Sequence, residues 1–294
     1  MHIPVLLNET IELLAPKPNE NFIDCTFGFG GHSLAILEKN LPCGRVLGIE
    51  WDRQSYEVLP VSIFKNDRLV VVNGSYADVG SIARENGFTS VDGMLFDLGI
   101  SSWHIDKSKK GFSFSKDEEL DMRFDHVNPL TAAQIINDWP PADLEKIFAD
   151  YGQERAAKKI AMAVSRARSQ RPILTTGHLA AIVEKNSGPG PAAPSTARIF
   201  QALRIAVNHE FENIGQGIDR GFAILKEGGR MAVITFHSLE DRIVKNKFRG
   251  LVAASTAELV NKKPIVPGVR EVQENPRSRS AKLRVIKKIN RPAD

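Results

Sequence analysis

Short apolar runs separated by longer amphipathic stretches fill the first third of the chain. Residues 22–27 end in glycines, and 45–50 (RVLGIE), 69–72 (LVVV) and 91–98 (VDGMLFDL) are further runs of strand length. Such runs alternating with helical patterns predict βαβ units and a parallel sheet, joined by right-handed crossovers. The pattern then breaks. Residues 105–125 are polar, Lys-rich and dotted with aromatics (KKGFSFSKDEELDMRF), which predicts a long loop. Between Pro129 and Lys185 the stretches AAQIIN, ADLEKIFADYG, QERAAKKIAMAVSRAR and TTGHLAAIVEK each predict one amphipathic helix. Residues 187–197 (SGPGPAAPSTA) predict a flexible connection. A long helix over about 198–225 follows, then a strand at 230–236 (RMAVITF) and a last strand at 283–289. The whole reads as one α/β domain interrupted by a helical insert, with 1–104 and 198–294 forming the domain and 105–197 the insert.

Composition narrows the class. At 294 residues and 42% hydrophobic the chain can bury a sizeable core. No run approaches the ~20 apolar residues of a membrane-spanning helix. The opening MHIPVLLNETIELL carries Glu9 and Glu12 without a basic leader, unlike a signal peptide. Cys25 and Cys43 are the two cysteines, without metal-type spacing, so a reduced cytoplasmic protein is expected. The seven histidines are scattered, and no catalytic metal is expected. The net charge of +4 hides an asymmetry: residues 242–294 hold fourteen Lys or Arg against four Asp or Glu, and the rest of the chain is net acidic. A basic tail on an acidic body suits a phosphate backbone.

The first run leads into Asp24-Cys25-Thr26-Phe27-Gly28-Phe29-Gly30-Gly31-His32-Ser33. Glycines there let a ligand lie against the main chain. Ser33 stands where a dinucleotide fingerprint has its third glycine. The second run ends in Glu50, near the ~20-residue offset at which a carboxylate meets a ribose diol. Asp97 ends the fourth run, where it joins Asp24 at the strand tips; such carboxylates suit a cationic ligand. Past the third run, Asn73 or Tyr76 is placed to flank a purine, with core packing the competing role for Tyr76. Ser238 and Asp241 fit a helix capping box, which competes with a substrate contact for His237. Phe112 and Phe114 suit either core packing or a surface on which a splayed base stacks.

In order, HIPVLLNE, DCTFGFGGHS, LGIEWD, VDGMLFDLGISS, GFSF, LDMR, YGQERAAKKIA, RIFQALRIAVNHE, GGRMAVITFHSLEDRIVK and NPRSRSAKLR run through nearly the whole chain. This set resembles the ribosomal RNA small subunit methyltransferase H family, enzymes that methylate N4 of a decoding-centre cytosine in bacterial 16S rRNA. The resemblance implies a class I, Rossmann-like, S-adenosylmethionine-dependent methyltransferase with an inserted all-helical domain for substrate recognition. It implies cofactor contacts at Gly30, Gly31, His32, Glu50, Tyr76, Asp97 and His104. The partner it implies is 16S rRNA within the small ribosomal subunit, with a homodimer compatible. The ribose acid is commonly Asp in the family and is Glu50 here; Tyr76 often stands as Phe. The family's HPATR is Pro194-Ser195-Thr196-Ala197-Arg198 in this chain, so its histidine is missing and Arg198 is kept.

The exocyclic amine of cytosine is a weak nucleophile because its lone pair is delocalised into the ring. An acceptor for its protons draws the nitrogen toward tetrahedral geometry. The Asp/Asn/Ser-Pro-Pro-aromatic motif used by many amino-methyltransferases is absent, and Asp97-Leu98-Gly99-Ile100-Ser101-Ser102 occupies its place. Asp97, or a backbone carbonyl of that loop, is the catalytic candidate. The competing readings are a dinucleotide dehydrogenase, which Ser33 disfavours, a non-catalytic RNA-binding assembly factor, and a methyltransferase acting on another nucleic acid.

Overall fold

The computed structural model describes residues 4–188 and 193–290. The chain divides into two compact units, residues 1–99 with 211–294, and residues 100–210. The strands are β1 (Phe22–Asp24), β2 (Val46–Glu50), β3 (Leu69–Asn73), β4 (Val91–Asp97), β5 (Leu225–Thr235), β6 (Ala257–Leu259) and β7 (Lys282–Lys288). The helices of the first half are α1 (Leu7–Leu14), α2 (Gly31–Lys39), α3 (Arg53–Glu57), α4 (Val79–Glu85), α5 (Ser102–Asp106), α6 (Ala132–Asp138) and α7 (Pro141–Asp150). Those of the second half are α8 (Ala157–Arg168), α9 (Thr176–Asn186), α10 (Ala193–Asn208), α11 (Glu210–Ile224), α12 (Ser238–Ala253) and α13 (Val269–Glu274).

In the first unit the strands form one sheet in the order β3-β2-β1-β4-β5-β7-β6. β1 to β5 are parallel, and β7 runs antiparallel to both β5 and β6. The sheet is buried on both faces, which is why its central strands read as continuous apolar runs. Successive residues alternate faces. Ile23, Met94 and Phe96 pack with Val79, Ile218 and Phe248 of α4, α11 and α12. Phe22 and Leu95 pack on the other face with Leu14 of α1 and Ile36 of α2. The order turns back between β1 and β4. At such a switch point two crossovers diverge and leave a crevice beyond the carboxyl ends of the strands.

Several boundaries differ from the sequence pattern. β1 stops at Asp24 because the chain from Cys25 already turns. β5 begins at Leu225, ahead of 230, and its pairing with β4 carries an irregularity at Val91/Gly93. The long helix expected over 198–225 is two helices, broken at His209 with φ 48. α10 begins at Ala193, inside the stretch expected to be flexible, with Pro194 in its first turn, where a missing N–H costs nothing; residues 189–192 of that stretch lie outside the described residues. The edge strand β6 has three residues and no sequence pattern of its own.

The helical unit packs α7, α8, α9 and α10 around Leu144, Phe148, Ile160, Val164, Leu179 and Leu203, all buried. It takes in Ile100 to Glu210, so it extends beyond the 105–197 expected for the insert at both ends.

Candidate active site

The β1–α2 turn is built on two left-handed glycines. Gly28 has φ 55 and Gly30 has φ 80. A Cβ at Gly30 would also stand 2.8 Å from Phe27 Cζ. Phe27 is buried, and its N–H donates to the Ile49 carbonyl at 2.8 Å, which ties the turn to β2. Ser33, the departure from the dinucleotide fingerprint, has a task here: it is fully buried and its hydroxyl donates to Asp24 Oδ2 at 2.7 Å.

Glu50 closes β2 and is buried. Its Oε2 accepts the Gly28 N–H at 2.9 Å and its Oε1 the Asp52 N–H at 2.9 Å, so the acid is clamped to the glycine turn. Burial, with the Asp52 charge beside it, raises its pKa to about 8. Asn73, closing β3, donates to the Glu50 carbonyl at 2.8 Å and thereby fixes the end of β2. Tyr76 sits in the turn after β3, 6% exposed, edge-on to Trp51 at 5.4 Å and to Phe96 at 5.9 Å between ring centroids. Its ring belongs largely to the core.

Asp97 closes β4. Its N–H donates to Thr26 Oγ1 at 2.6 Å, joining the β1 and β4 ends. Asp97 Oδ2 lies 3.8 Å from His32 Nδ1, and His32 Nε2 is 3.0 Å from the Val5 carbonyl. Asp97 Oδ1 is buried with no hydrogen-bond partner among the described residues. Burial first, then the charges of Asp24 and Glu240, hold its carboxyl well above the usual carboxylate range. Asp24, buried beside it, is raised to about 6 by burial, against the opposing hydrogen bonds of Ser33 and Thr26.

The sequence pattern misassigned the cap after β5. The N-cap of α12 is His237, one residue before Ser238, and its capping partner is Glu240 rather than Asp241. Glu240 is buried and accepts the Phe236 N–H at 2.8 Å; its Oε1 is 3.1 Å from His237 Nε2. Asp241 instead pairs with Arg284 at 2.6 Å and Lys282 at 3.4 Å, stitching α12 to β7. Glu240 is thus a buried acid of this site that sequence reasoning missed. The usable signal was the carboxylate three residues after His237, hidden because Ser is the commoner cap.

His104 belongs to the helical unit. It is buried, and its Nδ1 lies 3.1 Å from the Ser101 N–H and 2.9 Å from Ser101 Oγ at the start of α5. Its ring meets Phe112 and Phe124 edge-on, each at 5.2 Å. Phe112 is therefore a core residue stacked on Phe124, whereas Phe114 is 36% exposed and touches Phe200.

In the first unit, then, the buried Asp24, Glu50 and Glu240 and the half-buried Asp97 bring carboxylates to the carboxyl ends of β1, β2, β4 and β5. Groups of one sign buried together raise each other's pKa and favour a cationic ligand. A mostly parallel sheet that reverses order at β1 and β4, with a glycine turn and closing acids at that point, defines a Rossmann-like, S-adenosylmethionine-dependent methyltransferase. The chain belongs to the MraW methylase family, whose model matches residues 1–289. It is 43% identical to the ribosomal RNA small subunit methyltransferase H of Persephonella marina, covering 98% of this chain and 99% of that one. It is 41% identical to the protein of the same name from Symbiobacterium thermophilum, covering 98% and 96%. An rRNA methylase structure from Streptococcus thermophilus aligns over 99% of this chain and 100% of that one, at 9% identity and a TM-score of 0.47. Among the described residues no helix is long and apolar enough to cross a membrane.

Proposed function

We propose that this chain methylates the exocyclic N4 amine of a decoding-centre cytosine in bacterial 16S rRNA, within the small ribosomal subunit and in the cytoplasm. Full-length relatives carrying the small-subunit rRNA methyltransferase name support the RNA class. The observation that carries the chemistry is the buried, unpartnered Asp97 Oδ1 at the switch point of the sheet.

The residues fit S-adenosylmethionine. Each Glu50 oxygen accepts one backbone N–H and keeps a lone pair for a sugar hydroxyl. The carboxyls of buried Asp24 and half-buried Asp97 suit an ammonium and a sulfonium. Gly30 leaves open main chain where a side chain would overlap Phe27. Gly30, Gly31, His32, Glu50, Tyr76 and Asp97 are the cofactor residues of this reading, and His104 enters the set from family likeness alone. Bound there, S-adenosylmethionine supplies an activated methyl group.

The protein's share is placement and electrostatics. Asp97 Oδ1 accepts a proton of the cytosine amine and draws the nitrogen lone pair out of conjugation. Thr26 holds the Asp97 backbone, and His32 flanks its second oxygen. The test is methylation of small subunits lacking the modification, with the modified nucleotide mapped. Asp97→Ala is expected to lower turnover about 10²–10³-fold, the usual loss of a preorganised polar contact to a reacting group. Full turnover with unchanged donor affinity would sink the role, and methylation mapped to another base would sink the substrate.

A further inference from the structure

Charge is unevenly spread in the helical unit. It holds fifteen Lys or Arg and thirteen Asp or Glu, which nearly cancel. Six of the basic residues and none of the acidic ones fall in residues 155–171. α8 forms the middle of that stretch. It buries Ala157, Ile160, Ala161, Ala163 and Val164 against its neighbours, and leaves Lys158, Lys159, Met162 and Arg166 exposed. That spacing puts the exposed set on one helix face. Arg155 before the helix and Arg171 after it are exposed as well.

Helix stability accounts for Arg166, a cation in the last turn that complements the helix dipole, but not for Lys158 and Lys159 in the first turn. Arg168 does serve the fold, donating to the Ile136 carbonyl at 2.7 Å. The side chains of Arg155, Lys158, Lys159, Arg166 and Arg171 have no hydrogen-bond or ion-pair partner among the described residues. The first turn of α8 has no acid. Cations there, Lys158 and Lys159, face the positive end of the helix dipole and cost stability. The basic tail differs: Arg270, Lys282, Arg284 and Lys287 are in ion pairs, and Lys288 is capped by the carbonyls of Phe222, Ala223 and Leu225.

We propose that the exposed face of α8, carried by Lys158, Lys159 and Arg166 and flanked by Arg155 and Arg171, docks the phosphate backbone of the RNA substrate. This rests on the reading of the substrate as RNA given above. From Lys158 to Arg166 the face spans about 12 Å at 1.5 Å per residue, enough for a few successive phosphates. Cations on one helix face, their side chains without partners among the described residues, suit the backbone, so they add affinity without sequence choice.

The test compares wild type with Lys158→Ala/Lys159→Ala/Arg166→Ala for binding to a 16S rRNA transcript across salt concentrations. Three lost phosphate contacts at ~0.7 each predict a log-log salt slope shallower by about 2, and affinity lower on the order of a hundredfold at 0.1 M salt. The same loss is expected on an unrelated transcript of equal length. S-adenosylmethionine uptake by calorimetry is expected to stay at the wild-type value, and the melting temperature at or slightly above it. A wild-type slope in the triple variant overturns the proposal while leaving the methyl-transfer reading standing. So does a slope lost only in Lys262→Ala/Lys263→Ala/Arg279→Ala, the tail control, or a triple variant impaired only on phosphatidylglycerol vesicles. Absence of donor uptake in wild type would instead strike the reading of the active site itself.

Discussion

Gly30 shows how one position joins backbone and site. Its φ of 80 and the nearness of Phe27 both exclude a side chain. Gly30→Ala is expected to destabilise the protein by about 1–2 kcal/mol, the left-handed penalty of an L-residue, and to weaken donor uptake more than stability accounts for; denaturant melts and calorimetry on one preparation separate the two. The buried acids make a second prediction. Asp24 and Glu50 have folded pKa values of about 6 and about 8, above their ordinary 3.8 and 4.5. The stability they contribute is therefore fully present below about pH 4 and lost as pH rises through about 6 and about 8. A cationic nucleoside favours the ionised forms, so its binding should release protons and tighten between pH 6 and 8. Calorimetry in buffers of different ionisation enthalpy reads this directly, and pH-independent affinity with no proton release would refute it. Much of this site was legible in the residues: glycines and acids at strand ends announce themselves because each is adjacent in sequence to an apolar run. Glu240 was not, because its role depends on a cap register that shifts by one residue when a histidine replaces the expected serine. The part Ser33 plays toward Asp24 was equally hidden, since it follows from a contact across the turn.

At the level of elements, the sequence pattern identified the strands and the helices of the insert, and erred where tertiary contacts decide. A three-residue edge strand such as β6 has too little periodicity to be seen. The expected long helix breaks at His209 although nothing in RIAVNHEFENIG forbids continuation; Asn208 and Glu210 hold the break, Asn208 by donating to the Met122 carbonyl and accepting the Phe124 N–H, Glu210 by pairing with Arg204. α10 starts early because Arg198 anchors its first turns: Arg198 donates to the buried Glu154 at 2.7 Å and to Ser195 Oγ at 3.0 Å. The carboxyl of Glu154 is held low by these bonds and by the Ala156 N–H, against its burial. Removing one partner of a fully buried pair costs ~3–5 kcal/mol. Arg198 is 38% exposed, and water screening reduces the expected loss for Arg198→Ala to about 1–2 kcal/mol, read as a lower urea midpoint. A loss below a few tenths would mean that helix packing alone sets the start of α10.

For the molecule as a whole, composition suggested a basic tail for nucleic acid, and the structure spends much of that charge internally, on β7 and its neighbours. The unspent charge of α8 was invisible to a count, because the acids of residues 117–125 cancel it in sequence while the helix segregates it in space. The division of the chain has a further consequence. β4 and β5 pair in parallel, yet the whole helical unit is threaded between them. Closing a floppy connection of about 127 residues instead of about 16 costs roughly 2 kcal/mol more in chain entropy. That handicap disappears once the intervening segment has condensed, since its ends are then held at a fixed separation. The order of assembly is therefore built into the connectivity: amides of α7 to α10 should gain protection in pulsed hydrogen exchange before the β4–β5 seam does.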